Sequence, residues 1–504
     1  MPQLQSWVLL FGIMRGEMTH PNRRFFDLKP VVCIGGSDSS SGAGIQVDMR
    51  ALAALGIPYK NIITSVTSQE DGTFYHQEEI SSKSLKAQAQ AVLKEESIVK
   101  IGMLGSSLKI LDEILKNRKD TIILDPVLFS SSGAPLFRAD DLKLLKQFLA
   151  KVMLITPNIL EAETLWGKSI ETTSDVEKAA KYIRTLGVKN VLIKGGHLNF
   201  CGDYFLGEQS FWIKKQKINK SNVRGTGCFL ASSIAGGLSL GLNILDSLVM
   251  AQIFLHKSFR NAYKQGDFYY LNPEPFHQNL KPEDMPWIQD SFEDAISFSE
   301  FALKNKTTLY PIVDRAHWIK DLAGARPSLI QLRIKDLAGV QLELEIKEAI
   351  RLSKELGISL FINDFWQLAI KYGAFGVHLG QEDLADADIN LLREKGIRLG
   401  ISTHCYFEAA RAQAIRPSYI AFGPIFHTAL KAMDFAPQGL ENLKLWRDLF
   451  ELPLVAIGGI NLDRGTAVAK TGVDIISVVR DILLNPTPLG QAQAWKSKIG
   501  EQIH

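Results

Sequence analysis

The sequence predicts an α/β protein built from two units, a doubly wound sheet domain followed by a (β/α)8 TIM barrel. Three observations carry this reading. The 504 residues exceed one ordinary globular domain. From about residue 30, short apolar, β-branched runs alternate with amphipathic stretches, the pattern of a parallel sheet covered on both faces. The second half then holds a more regular series, eight apolar runs mostly about twenty to thirty residues apart, each followed by helical sequence.

In the first unit, the runs at 31–34, 62–66, 121–124, 152–155 and 191–194 read as buried strands. Segments 84–96 and 175–186 have helical periodicity, and two apolar helices near 226–240 and 244–263 close the series. Residues 271–304 break the rhythm. Pro273, Pro275, Pro282 and Pro286 recur there among acidic residues, which marks a connection, with 290–304 able to form a helix. Barrel strands are expected at 309–313, 329–332, 359–362, 376–379, 398–401, 419–422, 454–457 and 475–478. Eight repeats in about 200 residues suit a compact barrel, whereas a doubly wound sheet more often has about five or six strands. The expected organisation is a tail at 1–29, a first domain at 30–270, a connection at 271–304 and the barrel at 305–504.

Composition narrows the function class. Hydrophobic residues make up 46% and charged residues 22%, as in a soluble, well-cored protein. A formal charge of +3 and a pI near 8.4 give no reason to expect nucleic acid or a membrane surface as partner. Cys33, Cys201, Cys228 and Cys405 stand far apart with no C-x-x-C pair, which argues against disulfides or zinc and suits the reducing cytoplasm. No run approaches the roughly 18 apolar residues of a membrane span. The apolar stretch 7–14 lacks a basic flank and a cleavage site and reads as a tail, with Met14 or Met18 as alternative starts.

The first strand runs into Gly35-Gly36-Ser37-Asp38-Ser39-Ser40-Ser41-Gly42-Ala43-Gly44, a loop whose backbone can approach a ligand closely. It matches neither a P-loop nor a dinucleotide fingerprint, and alone it is equally a plain flexible loop. Two further elements add to it. Asn158 and Glu161, at i and i+3, can hold hydrated Mg2+ beside phosphates, though such a pair is commonly a simple helix start. Gly225-Thr226-Gly227-Cys228 opens an apolar helix, whose free N–H groups and dipole favour an anion. The same field is expected to lower the Cys228 thiol pKa, so that it takes a proton from a substrate hydroxyl; a small residue filling space at a cap is the alternative.

In the barrel, chemistry belongs at the carboxyl ends of the strands. Gln331, Arg333 and Lys335 alternate onto one face of the second strand, and a cationic pair there calls for a phosphate or diphosphate. The third strand ends in Asn363-Asp364 and the fourth leads to Asp383, so two carboxylates on neighbouring strand ends form a natural Mg2+ site. An internal salt bridge with Arg333 and Lys335 is the competing reading. Ser402 follows the fifth strand, Thr428 and Lys431 the sixth, Gly458-Gly459 the seventh, and Ser477-Val478 closes the eighth. Small residues after strands seven and eight are where such barrels bind a phosphate.

Taken in order, the motifs of roughly 30–275 resemble the ribokinase-like kinases, and within them the hydroxymethylpyrimidine/phosphomethylpyrimidine kinases of thiamine synthesis. The matching stretches are Gly35-Gly36-Ser37-Asp38, Gly42-Ala43-Gly44-Ile45-Gln46-Val47-Asp48, Lys100-Ile101-Gly102-Met103-Leu104, Leu124-Asp125-Pro126-Val127, Thr156-Pro157-Asn158, Lys194-Gly195-Gly196-His197 and Gly225-Thr226-Gly227-Cys228. Cys228 discriminates, because related pyridoxal and sugar kinases carry aspartate there. The resemblance implies that Gly36, Asp48, Gln69 and Met103 line a pyrimidine pocket. It makes Cys228 the base, the amides of Gly225 through Gly227 the anion hole, and Lys194, Asn158 and Glu161 the groups serving ATP and Mg2+. Family members often carry lysine where this chain has Ser131 and histidine where it has Arg224.

Residues 305–500 resemble thiamine-phosphate synthase, through 331–336, Asn363-Asp364, 376–383, 400–404, 423–428 with Lys431, Ala436-Pro437-Gln438-Gly439 and 456–460. This implies condensation of a pyrimidine diphosphate with a thiazole phosphate, releasing diphosphate. Asp364 and Asp383 would bind Mg2+. Gln331, Arg333, Lys335, Asn363, Ser402, Thr428 and Lys431 would hold the pyrimidine diphosphate, and Gly458, Gly459, Ser477 and Val478 the thiazole phosphate. A second threonine usual two residues after Thr428 is Leu430 here. A thiazole-tautomerising barrel would not need the set Arg333, Lys335, Asp364, Asp383 and Lys431, and a non-catalytic sensing module would not keep Cys228 with the aspartate pair. The expected partners are the small-molecule substrates alone, with a homo-oligomer left open.

Overall fold

The computed structural model describes residues 28–70, 73–129, 136–137, 141–196, 202–291, 297–300, 303, 307–427 and 436–500. The chain separates into two compact units whose boundary falls at residues 293 and 294.

The first unit is built on a ten-stranded sheet. Its strands are β1 (Val31–Asp38), β2 (Tyr59–Glu70), β3 (Thr73–Glu79), β4 (Ile98–Ile101), β5 (Thr121–Leu124), β6 (Leu154–Ile155), β7 (Asn190–Ile193), β8 (Gly202–Leu206) and β9 (Ser210–Lys214). A small sheet holds β10 (Val223–Arg224), β11 (Tyr263–Gln265) and β12 (Phe268–Tyr270), and β13 (Trp287–Gln289) completes the large one. The large sheet runs in the order β13-β9-β8-β7-β6-β5-β4-β1-β2-β3. Its centre, from β7 to β2, is parallel, as the apolar runs predict, while β3 and the β8-β9-β13 edge are antiparallel.

Burial explains the difference. Val31, Val32, Cys33 and Ile34 are fully buried, as a central strand covered on both faces requires. Each such aliphatic side chain contributes about 1.5–3 kcal/mol on leaving water. The edges differ in composition: β3 alternates polar and aromatic residues and is largely exposed, while β8 and β9 bury short runs, Tyr204 to Leu206 and Phe211 to Ile213, in which aromatics replace most of the aliphatics. One edge strand lies inside the stretch expected to be a mere connection: Ile288 is buried and β13 pairs with β9, so part of 271–304 is sheet. The described residues of 290–304 form no helix.

Helices cover the sheet, and their ends follow local chemistry. Ile159–Trp166 starts on a reciprocal Asn158/Glu161 capping box and stops at Gly167, whose φ of 82° is left-handed. The apolar helix Thr226–Ser239 packs closely on its neighbours, and a Cβ at Gly236 or Gly237 would lie 2.7 Å from Leu55 or 2.8 Å from Ser247. No helix among the described residues is long and apolar enough to cross a membrane.

The second unit is a closed eight-stranded parallel barrel of β14 (Thr308–Val313), β15 (Leu329–Leu332), β16 (Ser359–Asn363), β17 (Gly376–Leu379), β18 (Arg398–Thr403), β19 (Tyr419–Phe422), β20 (Leu454–Ala456) and β21 (Ile475–Val478). Pairing of β14 with β21 closes it. All eight expected strands are present within a residue or two. Tyr310, Leu329, Phe361, Tyr419, Ala421, Val455 and Ile475 form a buried core cluster here. Two strand glycines make room for its rings, because a Cβ on Gly376 would lie 2.3 Å from the Phe361 ring and one on Gly400 2.1 Å from that of Tyr419.

Candidate active sites

The first site forms where the strand order reverses. β1 lies between β2 and β4, so the loops leaving their carboxyl ends part there and leave a crevice. Gly36 at the end of β1 backs onto Met103 beyond β4: a Cβ on Gly36 would lie 2.8 Å from Met103 Sδ and 3.1 Å from Ser65 Oγ. Gly44, at φ 61°, would put a Cβ 2.3 Å from the Gly36 carbonyl. Gln69, at the end of β2, accepts a 3.1 Å hydrogen bond on Oε1 from Arg224 Nη2, and its Nε2 donates to Thr67 Oγ1. Arg224 is buried 3.9 Å from Asp38, and its Nε and Nη1 have no hydrogen-bond partner among the described residues.

Asp48 sits differently from the expectation. It is 1% exposed, and Lys100 Nζ donates to both its carboxylate oxygens at 2.8 and 2.9 Å, with Ser232 Oγ adding a third bond. Asp48 is therefore closed inside an ion pair instead of lining an open pocket. The reason is Lys100, a cation within an apolar strand that would be costly to bury alone. Asp48 holds it charged, raising its pKa although burial alone would lower it.

Across the crevice, the helix Thr226–Ser239 begins at Gly225, whose φ of 75° is left-handed and whose Cβ would lie 2.5 Å from the Gly42 carbonyl. A Cβ on Gly227 would lie 2.9 Å from Lys194 Nζ and 3.3 Å from Asp125 Oδ2. Lys194 Nζ donates to Asp125 Oδ1 at 2.6 Å, and Thr156 Oγ1 donates to the same oxygen at 3.1 Å. Burial tends to raise the Asp125 carboxyl, but the charges of Lys194 and Lys100 outweigh it and hold it below the usual range. Asn158 bridges to Lys194 through the backbone, and its side chain and that of Glu161 close the capping box at 2.9 and 2.8 Å. Burial, reinforced by the charge of Asp125 and opposed by Lys194, pushes Glu161 up to about 7.

Cys228 corrects one expectation. Its thiol is pushed up to about 11, chiefly by burial and then by the charges of Asp48 and Asp125, against the lowering influence of Lys100 and the Gly44 amide. In this site desolvation exceeds the cationic field, and the ligand-free thiol is protonated at neutral pH.

The second site lies at the carboxyl end of the barrel. Arg333 and Lys335 follow β15 and are exposed, while Gln331 and Asn363 are buried within the strands. Asp364 follows β16 at φ 65°, an unusual backbone for a residue other than glycine and a mark of a constrained site. Lys335 Nζ donates to Asp364 Oδ2 at 2.5 Å, so the salt bridge weighed against a metal site is present. Asp383 stands beside Asp364: burial, then the Asp364 charge and a hydrogen bond to it, raise the Asp383 carboxyl. No cluster of three or more acidic, histidine or cysteine ligands occurs among the described residues. Ser402 accepts or donates a 2.8 Å bond with His378 Nε2, and Gln381 Nε2 donates to the Ser402 carbonyl at 2.6 Å.

Gly458 and Gly459 have φ of 98° and 66°, and a Cβ on Gly459 would lie 2.5 Å from the His427 carbonyl. Ser477 is buried with no partner for its Oγ among the described residues, and Val478 is buried next to it. Thr428, Leu430 and Lys431 of the barrel, and Ser131 of the first unit, lie outside the described residues. Sequence reading did not single out Lys100, Asp125 or His378. Lys100 and Asp125 were legible as lone charges in or just after buried strands, a costly placement that calls for a partner.

A sequence model of phosphomethylpyrimidine kinase matches residues 38–271, and one of thiamine monophosphate synthase matches 309–482. A protein of Oryza sativa subsp. japonica described as a probable thiamine biosynthetic bifunctional enzyme, chloroplastic, is 30% identical over 93% of this chain and 88% of its own length. The thiamine-phosphate synthase of Photorhabdus laumondii is 52% identical over 40% of this chain and 90% of its own. Among solved structures, phosphomethylpyrimidine kinase from Clostridium difficile is 31% identical, covering 46% of this chain and 99% of that one with a TM-score of 0.41.

Proposed function

The chain belongs to the bifunctional thiamine biosynthetic enzymes, a phosphomethylpyrimidine kinase joined to a thiamine-phosphate synthase, and on that premise we propose how its residues divide the work. The first unit phosphorylates hydroxymethylpyrimidine and then its monophosphate at the expense of ATP. The barrel condenses the resulting diphosphate with thiazole phosphate, giving thiamine phosphate and diphosphate. The kinase and synthase families imply ATP and a divalent metal.

In the kinase, the pyrimidine lies in the crevice against Gly36, Met103 and Gln69, with Asp48 acting behind the pocket through Lys100. The transferring phosphoryl group meets the amides of Gly225, Thr226 and Gly227, where N–H groups are preorganised for the charge that spreads over its oxygens. Lys194 neutralises a further phosphate. Arg224, with spare buried donors, supplies positive charge where relatives often carry histidine. Cys228 removes the hydroxyl proton. Asn158 and Glu161 would hold Mg2+; an acidic, oxygen-bearing pair whose carboxyl is pushed up to about 7 by burial gains from a cation beside it.

In the barrel, Asp364 and Asp383 fit a hard divalent ion, which we take to be Mg2+, because their mutual repulsion is what a cation relieves. Two carboxylates suffice when substrate phosphates and water complete the shell. That ion supplies charge neutralisation for the diphosphate. Arg333, Lys335, Asn363, Thr428 and Lys431 hold the same group, Gln331 and Ser402 address the pyrimidine end, and Gly458, Gly459, Ser477 and Val478 take the thiazole phosphate. As the pyrimidine–oxygen bond breaks, its electron pair leaves on the diphosphate oxygen and the thiazole nitrogen captures the resulting cation. The protein's task is to hold charge more than to move protons.

The observation that carries this assignment is the pairing of Asp364 and Asp383 beside Lys335 at the barrel's carboxyl end, a diphosphate site that an isomerase does not need. Four dispersed cysteines with no C-x-x-C pair support work in the reducing cytoplasm. Purified protein supplied with hydroxymethylpyrimidine, ATP, Mg2+ and thiazole phosphate should form thiamine phosphate. Absence of that product would overturn the assignment.

A further inference from the structure

A connected set of hydrogen bonds crosses the barrel interior, in which Gln331 also reaches the Tyr419 hydroxyl. Gln331 Nε2 donates to Tyr310 Oη at 3.3 Å, Tyr310 Oη meets Tyr419 Oη at 3.0 Å, Tyr419 Oη meets His378 Nδ1 at 2.8 Å, and His378 Nε2 meets Ser402 Oγ at 2.8 Å. Five different strands supply the members, β15, β14, β19, β17 and β18 in that order. Gln331, Tyr310, Tyr419 and His378 are each at most 5% exposed, so the set is shielded from water. A buried hydroxyl or imidazole must pair, and here each pairs with the next.

The proton count restricts the set. Each phenol and the neutral imidazole carry one proton apiece, and burial keeps both phenols protonated. With each of these protons spent on a neighbour, the orientation of the Gln331 amide, which faces both phenols, sets the later links. With the Gln331 amide nitrogen toward Tyr310, donation runs outward: Tyr310 to Tyr419, Tyr419 to His378 Nδ1, and His378 Nε2–H to Ser402 Oγ. Ser402 then keeps its own proton for a ligand. With the Gln331 oxygen toward Tyr310, every link reverses, Ser402 must donate to His378, and it presents only lone pairs.

Building on the synthase site proposed above, we propose that Gln331, Tyr310, Tyr419, His378 and Ser402 form one proton-ordered relay that ties the orientation of the Gln331 amide to the donor character of the Ser402 hydroxyl. An aminopyrimidine offers an amino donor, which the Gln331 oxygen accepts when its nitrogen faces Tyr310. Recognition of that amino group therefore sets Ser402 as a donor to the oxygen that gathers negative charge as the pyrimidine–oxygen bond breaks. No proton crosses in this step: the electron pair leaves with the diphosphate and Ser402 keeps its hydrogen. Tyr310, Tyr419 and His378 are positioning residues.

The test reads the His378 tautomer by 15N NMR of histidine-labelled full-length protein, with the resonance assigned by its loss in His378→Gln. Wild type should carry the proton on Nε2. Gln331→Glu, whose carboxylate can only accept from the phenols, should move it to Nδ1. Synthase kcat should fall about a hundredfold, as on loss of one charge-stabilising donor, with KM for the pyrimidine diphosphate changed by less than about threefold. Should Gln331→Glu fail to fold, Tyr419→Phe keeps the ring and removes the middle link, and His378 should then lose its single tautomer. An unchanged tautomer in whichever variant folds overturns the relay. Ser402→Ala on the same assay separates the two readings. Active wild type with Ser402→Ala down about a hundredfold upholds the site whatever the NMR shows. Wild type without synthase activity removes the premise, and Ser402→Ala at wild-type rate overturns both the site and the relay.

Discussion

Raising the pH should accelerate the kinase half of this chain far more than the synthase half, because the base proposed for it begins as a half-buried, desolvated thiol. Cys228 is pushed up to about 11. At about pH 7.5 only about one thiol in three thousand is then ionised, and between about pH 6.5 and about pH 9 that share grows about three-hundredfold. The sign follows from the proposed chemistry: with the thiolate as the acting form, rate is lost as pH falls and gained as it rises toward the thiol pKa. kcat/KM reports groups of the free enzyme, the state in which the half-buried thiol has no ligand beside it. A coupled assay of ADP release from hydroxymethylpyrimidine and ATP should show log kcat/KM rising with slope near one across that range. Synthase activity on the same samples controls for loss of fold. Cys228→Asp should flatten the profile, because a carboxylate is already ionised at these pH values. Cys228→Ser should lose about a hundredfold or more, the size expected on removing a proton acceptor. A level wild-type profile together with a fully active Cys228→Ser would refute proton removal by the thiolate.

Other perturbations test the remaining assignments. Asp364→Asn should lower synthase turnover about a hundredfold or more and leave kinase activity intact, so that the pyrimidine diphosphate accumulates in a mass-spectrometric time course. Gly459→Ala puts a Cβ 2.5 Å from the His427 carbonyl at a left-handed backbone. It should raise KM for thiazole phosphate about tenfold while sparing KM for the pyrimidine diphosphate, measured by initial rates. Lys100→Met leaves the buried Asp48 carboxylate unpaired and should destabilise the first unit by about 3–5 kcal/mol in denaturant titration, with Lys100→Met/Asp48→Asn recovering most of it.

The barrel was the more legible fold because each of its strands is a separate buried run bounded by helical sequence. Period and count alone then indicate closure, and β15, β17, β19 and β21 coincide with the runs at 329–332, 376–379, 419–422 and 475–478. In the first unit the parallel centre was equally plain, whereas β8, β9 and β13 were not. Ile288 is buried where β13 pairs with β9, and no local signal in the proline-rich stretch around it anticipates a long-range antiparallel partner.

The sites divide along the same line between local and non-local signals. Glycines at 225, 227, 458 and 459 could be read from sequence because a helix start or a strand-end loop states its backbone demand in neighbouring residues. Cys228 shows the limit of such reading: its place at a helix N-terminus was legible, but the sign of its pKa shift depends on how much water the assembled crevice excludes. Asp48 shows it again, since a carboxylate that looked free for substrate is claimed by Lys100, 52 positions away. The barrel relay is the extreme case. Alternation within each strand can place Tyr310, Gln331, His378 and Tyr419 on the inner face one at a time. Which of them touch is decided by the stagger with which eight strands close, a property of the whole ring. A single buried histidine or tyrosine therefore carries little functional meaning in sequence, and gains it only once its hydrogen-bond partners from the other strands are in place.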